Sequence, residues 1–295
     1  MSILSQNRKG YSMFKTNYHS HSEFCDGSGK LEDYVKSAIS KSFDVFGFSG
    51  HAPLPFENDW TMARSALEGY LNETKRLKTA YKNIINLKIG LEIDYIEGKM
   101  APSDQYYKDL QLNFIIGSIH VLPDINTGEY LGVEYTKSEM EQLINDTYRG
   151  DAKPLVKEYY RLVRKMSKKG GFEILGHIDV VKKTNINSIY FNETEKWYKN
   201  EIELTLACIA ENNQILEINT GKVLSDPTRI YPSPWILQIA NEYKIPVMLN
   251  SDAHRPDRID NYYNEAKKMI IKAGYTELMI LKEDRWISDT IDLKT

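Results

Sequence analysis

Short apolar runs alternate with longer amphipathic stretches along this chain. The runs are Phe14–Tyr18, Asp44–Ser49, Leu87–Ile93, Phe114–Ile119, Phe172–Gly176, Ile215–Asn219 and Pro246–Asn250. Each has the length and the β-branched or aromatic content of a buried strand. Between them, Leu31–Lys41 carries apolar residues at Leu31, Tyr34, Val35, Ala38 and Ile39, which line one helical face. Ala63–Tyr81, with Thr61 as its expected cap, Pro154–Lys169, Glu195–Glu211, Pro234–Tyr243 and Tyr262–Ala273 follow the same spacing. Gly170-Gly171 and Gly274 are suited to stopping helices.

Strands that alternate with helices imply a mostly parallel sheet covered by helices. Seven such units point to a closed or nearly closed barrel, although periodicity alone does not separate a barrel from an open sheet. The length of 295 residues fits one α/β barrel domain over 1–295. Residues 1–13 are polar and are expected to form a flexible extension, with Met13 as an alternative start. That stretch lacks the apolar core of a signal peptide. No run reaches the roughly 18 apolar residues of a membrane span. The two cysteines, Cys25 and Cys208, give no disulfide framework and suit a reducing, cytoplasmic setting. A net charge of −3 offers no basic footprint for nucleic acid.

The six histidines change the picture. His19 and His21 follow the first run, His51 the second, His120 the fourth, His177 the fifth and His254 the seventh. In a parallel barrel the strand C-termini share one rim, where chemistry collects. Histidines distant in sequence therefore meet there, joined by Glu92 near the end of the third run. Imidazole and carboxylate are ligands for zinc, manganese or iron. His19 and His21, two apart on extended chain, point the same way and can grip one ion. Asp252 and His254 repeat that spacing. Asp26, in the loop after the first strand, is a further carboxylate within reach. A single histidine at a strand end is usually a satisfied polar group; the gathering of all six is what argues for metal.

The ordered set His19-Ser20-His21, Ser49-Gly50-His51, Gly90-Leu91-Glu92, Ser118-Ile119-His120, Gly176-His177-Ile178-Asp179 and Ser251-Asp252-Ala253-His254 resembles the PHP superfamily. Gly117-Ser118-Ile119-His120, Leu216-Glu217-Ile218-Asn219-Thr220 and Tyr231-Pro232-Ser233-Pro234 lean toward its histidinol-phosphate phosphatases. The resemblance implies a distorted seven-stranded (β/α) barrel of PHP type holding three divalent metals. It implies His19, His21, Glu92 and Asp252 at the first metal, and Glu92, His120 and His177 at the second, with Glu92 bridging. Asp26, His51 and His254 fall at the third. Many members carry histidine where this chain has Asp26, which makes that site harder in ligand character.

The resemblance also implies hydrolysis of L-histidinol phosphate to L-histidinol and phosphate by a metal-bridging hydroxide, in histidine biosynthesis. Asp252 or a metal-bound water is the candidate general acid. Arg229 and Lys183, in rim loops, are the candidate phosphate-binding cations. Cys25 reads as a spacer, and Arg161 as a surface or helix-pairing charge. Phe56, Glu57, Asp59 and Trp60 form either a lid or an ordinary packed loop. The rival readings are another PHP phosphoesterase acting on nucleotides, oligonucleotides or phosphotyrosine, or a non-catalytic metal-binding module. The oligomeric state is not legible.

Overall fold

The computed structural model describes residues 14–221 and 229–291. The extension expected over 1–13 lies outside them. All seven expected strands form and pair in parallel in one sheet. They are β1 (Thr16–Asn17), β2 (Val45–Phe48), β3 (Asn86–Asp94), β4 (Phe114–Ser118), β7 (Ile174–Leu175), β8 (Ile215–Asn219) and β9 (Val247–Asn250), in the order β1-β2-β3-β4-β7-β8-β9. The crossovers use α1 (Leu31–Ser40), α2 (Leu67–Ala80), α5 (Ala152–Lys169), α6 (Lys196–Glu211) and α7 (Pro234–Glu242), and α8 (Tyr263–Lys272) follows β9.

The sheet is bent into a nearly closed barrel. At the seam between β1 and β9, Ser20 bridges Ala253, and the His21 N–H donates to the Ala253 carbonyl at 2.9 Å. Below that bridge two asparagine side chains replace the missing ladder. The Tyr18 N–H donates to Asn250 Oδ1, and the Ser251 N–H to Asn17 Oδ1, both at 2.8 Å. Backbone groups at the seam are thereby satisfied away from water.

Inside the barrel lie Tyr18, Val45, Phe114, Ile116, Ile174, Ile215 and Met248. The Phe114 ring sits so close to Gly90 that a Cβ there would come within 2.6 Å of it. The base is plugged by an antiparallel hairpin that the sequence reading did not foresee, β10 (Glu277–Lys282) and β11 (Arg285–Thr290). It contributes Leu281, whose N–H donates to the buried Tyr18 hydroxyl at 2.8 Å. The larger apolar layer fills the space between sheet and helices, where burying each large aliphatic side chain contributes about 1.5–3 kcal/mol.

Element ends depart from expectation for local reasons. α5 begins at Ala152, capped by the Asp151 carboxylate, and not at Pro154. First-turn N–H groups have no helical partner, so proline is tolerated inside that turn. Thr61 is no cap: its N–H donates to Asn58 Oδ1 in a tight turn, and a 3₁₀ turn at Arg64–Ala66 leads into α2. After His120 the chain forms a second unforeseen hairpin, β5 (Val121–Pro123) with β6 (Tyr130–Gly132), and then α4 (Lys137–Gln142). A further short helix, α3 (Gln105–Asp109), precedes β4. No helix among the described residues is long and apolar enough to cross a membrane.

Candidate metal centre

The strand C-termini and the loop after β1 bring together all six histidines with Asp26, Glu92 and Asp252. Glu92, at 0 % exposure, is the hub. Its Oε2 lies 3.1 Å from His19 Nε2, 3.6 Å from His21 Nε2 and 2.9 Å from His51 Nδ1. Its Oε1 lies 3.0 Å from His177 Nε2 and 3.3 Å from His120 Nε2. Asp252 Oδ1 approaches His21 Nε2 at 3.0 Å and His19 Nε2 at 3.5 Å. At the outer edge Asp26 meets His254 Nε2 at 3.0 Å through one oxygen and His51 Nε2 at 3.7 Å through the other.

Donor atoms cluster in four overlapping groups, each within 4.8 Å. They are His19, His21 and Asp252; His19, Glu92 and His177; His51, Glu92 and His120; and His21, Asp26, His51 and His254. The inner groups are fully buried, whereas Asp26 is exposed and His254 half-buried.

These atoms fit divalent cations and little else. His19 Nε2, His21 Nε2 and Glu92 Oε2 are buried yet make no hydrogen bond. Orphaned buried polar atoms carry a desolvation cost of about 1–3 kcal/mol each. Here they converge on shared points, where a cation satisfies all of them. His120 Nε2 and His177 Nε2 face each other at 3.1 Å, which a shared cation likewise resolves.

Electrostatics keep the site primed. Burial alone would raise the Glu92 and Asp252 pKa values. Surrounding imidazoles outweigh it and hold both carboxyls well below the usual range, His19, His120 and His51 for Glu92, and His19, His21 and His254 for Asp252. Burial, reinforced by His51 and His254, pushes His21 down to about 3, leaving a neutral ring with a free lone pair. For His19 burial acts downward, but Glu217, Glu92 and Asp252 together raise it well above its ordinary value.

Sequence reasoning missed the residues behind the ligands. Asp94, two positions beyond Glu92 and on the same face of β3, accepts from His120 Nδ1 at 3.0 Å. Glu217 accepts from His19 Nδ1 at 2.6 Å. A carboxylate inside a strand otherwise buried throughout was the available signal for both. Asp179 stays outside the cluster. It pairs with Lys182 Nζ at 2.6 Å and accepts the Ser233 N–H at 2.9 Å, anchoring the loop with the cis Tyr231-Pro232 bond. Cys25 Sγ lies 3.6 Å from His21 Nδ1, its thiol pushed up to about 12 by burial. Arg161 pairs with Glu97 and Glu158 on the surface. Asp252 adopts a positive φ of 46°, a strained conformation for a non-glycine residue, held at the site itself.

Over the cluster opens a cavity of about 390 Å³. Trp60 stands edge-on to His51 and His120, at 4.9 and 5.4 Å between centroids. Phe56 stacks on Tyr130 at 5.0 Å and 7°, joining the loop after His51 to the β5–β6 hairpin. Glu57, Asp59, Glu134 and Glu139 make the remaining wall acidic. Lys183 lines this cavity and pairs with Glu134. Arg229 lines an adjoining pocket shared with Lys183, Asp252 and His254, and its Nη2 donates to the Lys183 carbonyl at 2.8 Å.

A parallel barrel whose rim buries converging imidazoles and carboxylates defines a divalent-metal enzyme of the hydrolase class. The PHP domain model matches residues 17–221, and the chain belongs to that family. It is 28 % identical over 266 residues to a histidinol-phosphatase of Bacillus subtilis, covering 85 % of this chain and 97 % of that protein. A histidinol-phosphatase of Lactococcus lactis is 26 % identical over 271 residues, covering 90 % and 94 %. Among solved structures, the L. lactis histidinol phosphate phosphatase complexed with zinc, L-histidinol and phosphate superposes with a TM-score of 0.68 at 22 % identity. It covers 92 % of this chain and 98 % of that one.

Proposed function

We propose that this chain is a histidinol-phosphatase, a single-domain cytoplasmic enzyme that hydrolyses L-histidinol phosphate to L-histidinol and phosphate. The observation that carries the reading is the buried donor cluster at the floor of a cavity walled by aromatics and acids. Relatives of that name that match most of the chain support it. His19, His21, Glu92 and Asp252 would hold one divalent ion. Glu92, His120 and His177 would hold a second, and Asp26, His51 and His254 a third, as zinc, manganese or iron. Bound there, the ions supply the Lewis acidity and the activation of water that phosphate-ester hydrolysis requires.

The chain's own groups do the rest. The two oxygens of Glu92 face different imidazoles, Oε2 those of His19, His21 and His51 and Oε1 those of His120 and His177, so one carboxylate could serve two sites. Asp252 turns Oδ1 toward the histidines and accepts from Asn219 Nδ2 on Oδ2 at 3.3 Å; its carboxyl is held well below the usual range, so it would act as an ionised ligand and the proton for the leaving alkoxide would come from water. Lys183 and Arg229 line the pocket beside Asp252 and His254 and would receive phosphate oxygens, Lys183 by exchanging its ion pair with Glu134. The wall of Glu57, Asp59 and Glu139 favours a substrate that carries a cation beside its phosphate, as an amino alcohol phosphate does.

The test is a substrate panel with purified enzyme. Histidinol phosphate should exceed nucleotides and phosphotyrosine peptides in kcat/KM by orders of magnitude, and exhaustive chelation should abolish turnover. Equal turnover of the whole panel would reassign the substrate, and chelator-resistant activity would remove the metal scheme.

A further inference from the structure

We propose that Glu217 is the positioning residue of the metal centre, orienting His19 and tying its aim to closure of the barrel. The inference rests on the metal reading above. Glu217 is fully buried and lies in the middle of β8. A carboxylate in such a place requires compensation, because burying an unpaired charge is costly. It receives four donors. Oε1 accepts from His19 Nδ1 at 2.6 Å and from Asn250 Nδ2 at 2.9 Å. Oε2 accepts the His177 N–H and Asn219 Nδ2, each at 2.9 Å.

Those donors come from β9 and β8 and from residues that follow β1 and β7. One side chain thus holds the chain on either side of the seam, and Asn250 turns its own Oδ1 to the Tyr18 N–H across it. His19 Nδ1 and the His177 backbone are fixed by the same carboxylate, so the relative placement of two ligand histidines passes through Glu217.

The chemistry is specific to a carboxylate. An ionised Glu is acceptor-only, with about four lone-pair sites, and all of them face donors here. Glutamine has nearly the same shape but replaces one acceptor with an NH₂ donor. Whichever way that amide turns, one pair of donors meets a donor. If the NH₂ faces His19, the ring must accept at Nδ1 and carry its proton on Nε2, the atom aimed at Glu92 and Asp252. An Nε2–H cannot ligate. Outer carboxylates that hold a ligand histidine in this manner affect metal affinity by about 10–100-fold.

The experiment compares wild type, Glu217→Gln and a distant core variant, Leu162→Ala in α5, as purified metal-free chains. Cobalt(II) affinity is measured by chelator competition, the visible absorption of the cobalt-loaded protein is recorded, and thermal melting of each metal-free chain gives its stability. We expect Glu217→Gln to bind the tightest cobalt ion about 10–100-fold more weakly, with an altered visible band. Leu162→Ala should melt lower with affinity and spectrum unchanged. The proposal is overturned if Glu217→Gln keeps wild-type affinity and band, or if Leu162→Ala loses affinity equally at matched stability. A wild type that binds no cobalt would instead overturn the metal reading on which the proposal stands.

Discussion

Gly176 precedes His177, and the space its missing side chain leaves is taken by Ser118. A Cβ at Gly176 would lie 2.4 Å from Ser118 Oγ, 3.1 Å from Ile116 Cγ2 and 3.6 Å from Glu92 Oε1. Ordinary contact begins near 3.4 Å, so Gly176→Ala drives the hydroxyl back by about 1 Å. That hydroxyl donates to Glu92 Oε1 at 2.6 Å. The clash runs nearly perpendicular to that bond, so a straight retreat would keep it; the bond is lost when Ser118 clears the new methyl by turning to another staggered rotamer. Two effects then add. Overpacking costs about 1–3 kcal/mol, and the lost bond to a charged acceptor about 1.5–3 kcal/mol. The second falls on the carboxylate at the centre of the cluster, and turnover should fall, toward the roughly 100-fold that a misplacement of about 1 Å can cost.

Ser118→Ala separates the two effects, because it removes both the bond and the atom that the new methyl strikes. Stability from thermal melts and kcat/KM on histidinol phosphate should be measured for each single variant and for the double variant. The double variant should lose little more than Ser118→Ala alone, with a coupling of about 0.5–3 kcal/mol between the positions. Strict additivity, or a Gly176→Ala enzyme with wild-type turnover, would refute the reasoning.

Three further outcomes are expected. Because His19 is held protonated above its ordinary range in the metal-free chain, metal binding must displace a proton, and affinity should rise with pH. Calorimetry of zinc binding in buffers of different ionisation enthalpy should register that release, and buffer-independent heats would contradict it. Burial pushes the Asp260 carboxyl up, but Lys15 and Lys41 overcome it and hold the group below its ordinary value. Its stabilisation is therefore present above the unfolded value of about 3.9 and fades as pH falls below that; Asp260→Asn should flatten the acid limb of the melting curve, and an unchanged limb would count against the pairing. Phe56→Ala removes the stack on Tyr130 that joins the two walls of the cavity. It should raise KM for histidinol phosphate several-fold with a smaller change in kcat, and a loss confined to kcat would place Phe56 in the chemistry instead.

The barrel was legible because its strands are continuous apolar runs and its helices keep one clean face. The expected runs Phe114–Ile119 and Ile215–Asn219 match the observed Phe114–Ser118 and Ile215–Asn219 almost residue for residue. The β5–β6 hairpin was not legible: Val121–Pro123 and Tyr130–Gly132 are too short for alternation to register. The clustered histidines could be read because the topology places every strand end on one rim. Glu217 and Asp94 were harder, since their role depends on which imidazole each faces, and that follows from neighbouring strands and not from the local sequence. The substrate wall was harder still. Phe56 and Tyr130 meet across separate loops, and no periodicity in either announces the contact.

The seam has a kinetic meaning. His19 and His21 lie just past the first strand and Asp252 and His254 just past the last, so no shorter segment of the barrel contains the whole pocket. A ribosome must extrude β9 before the earliest histidines find their partners, and the entropy of closing so long a loop falls due near the end of assembly. Acquisition of cobalt colour by a refolding chain should thus coincide with closure of the seam, making the loaded centre a signature of a closed barrel.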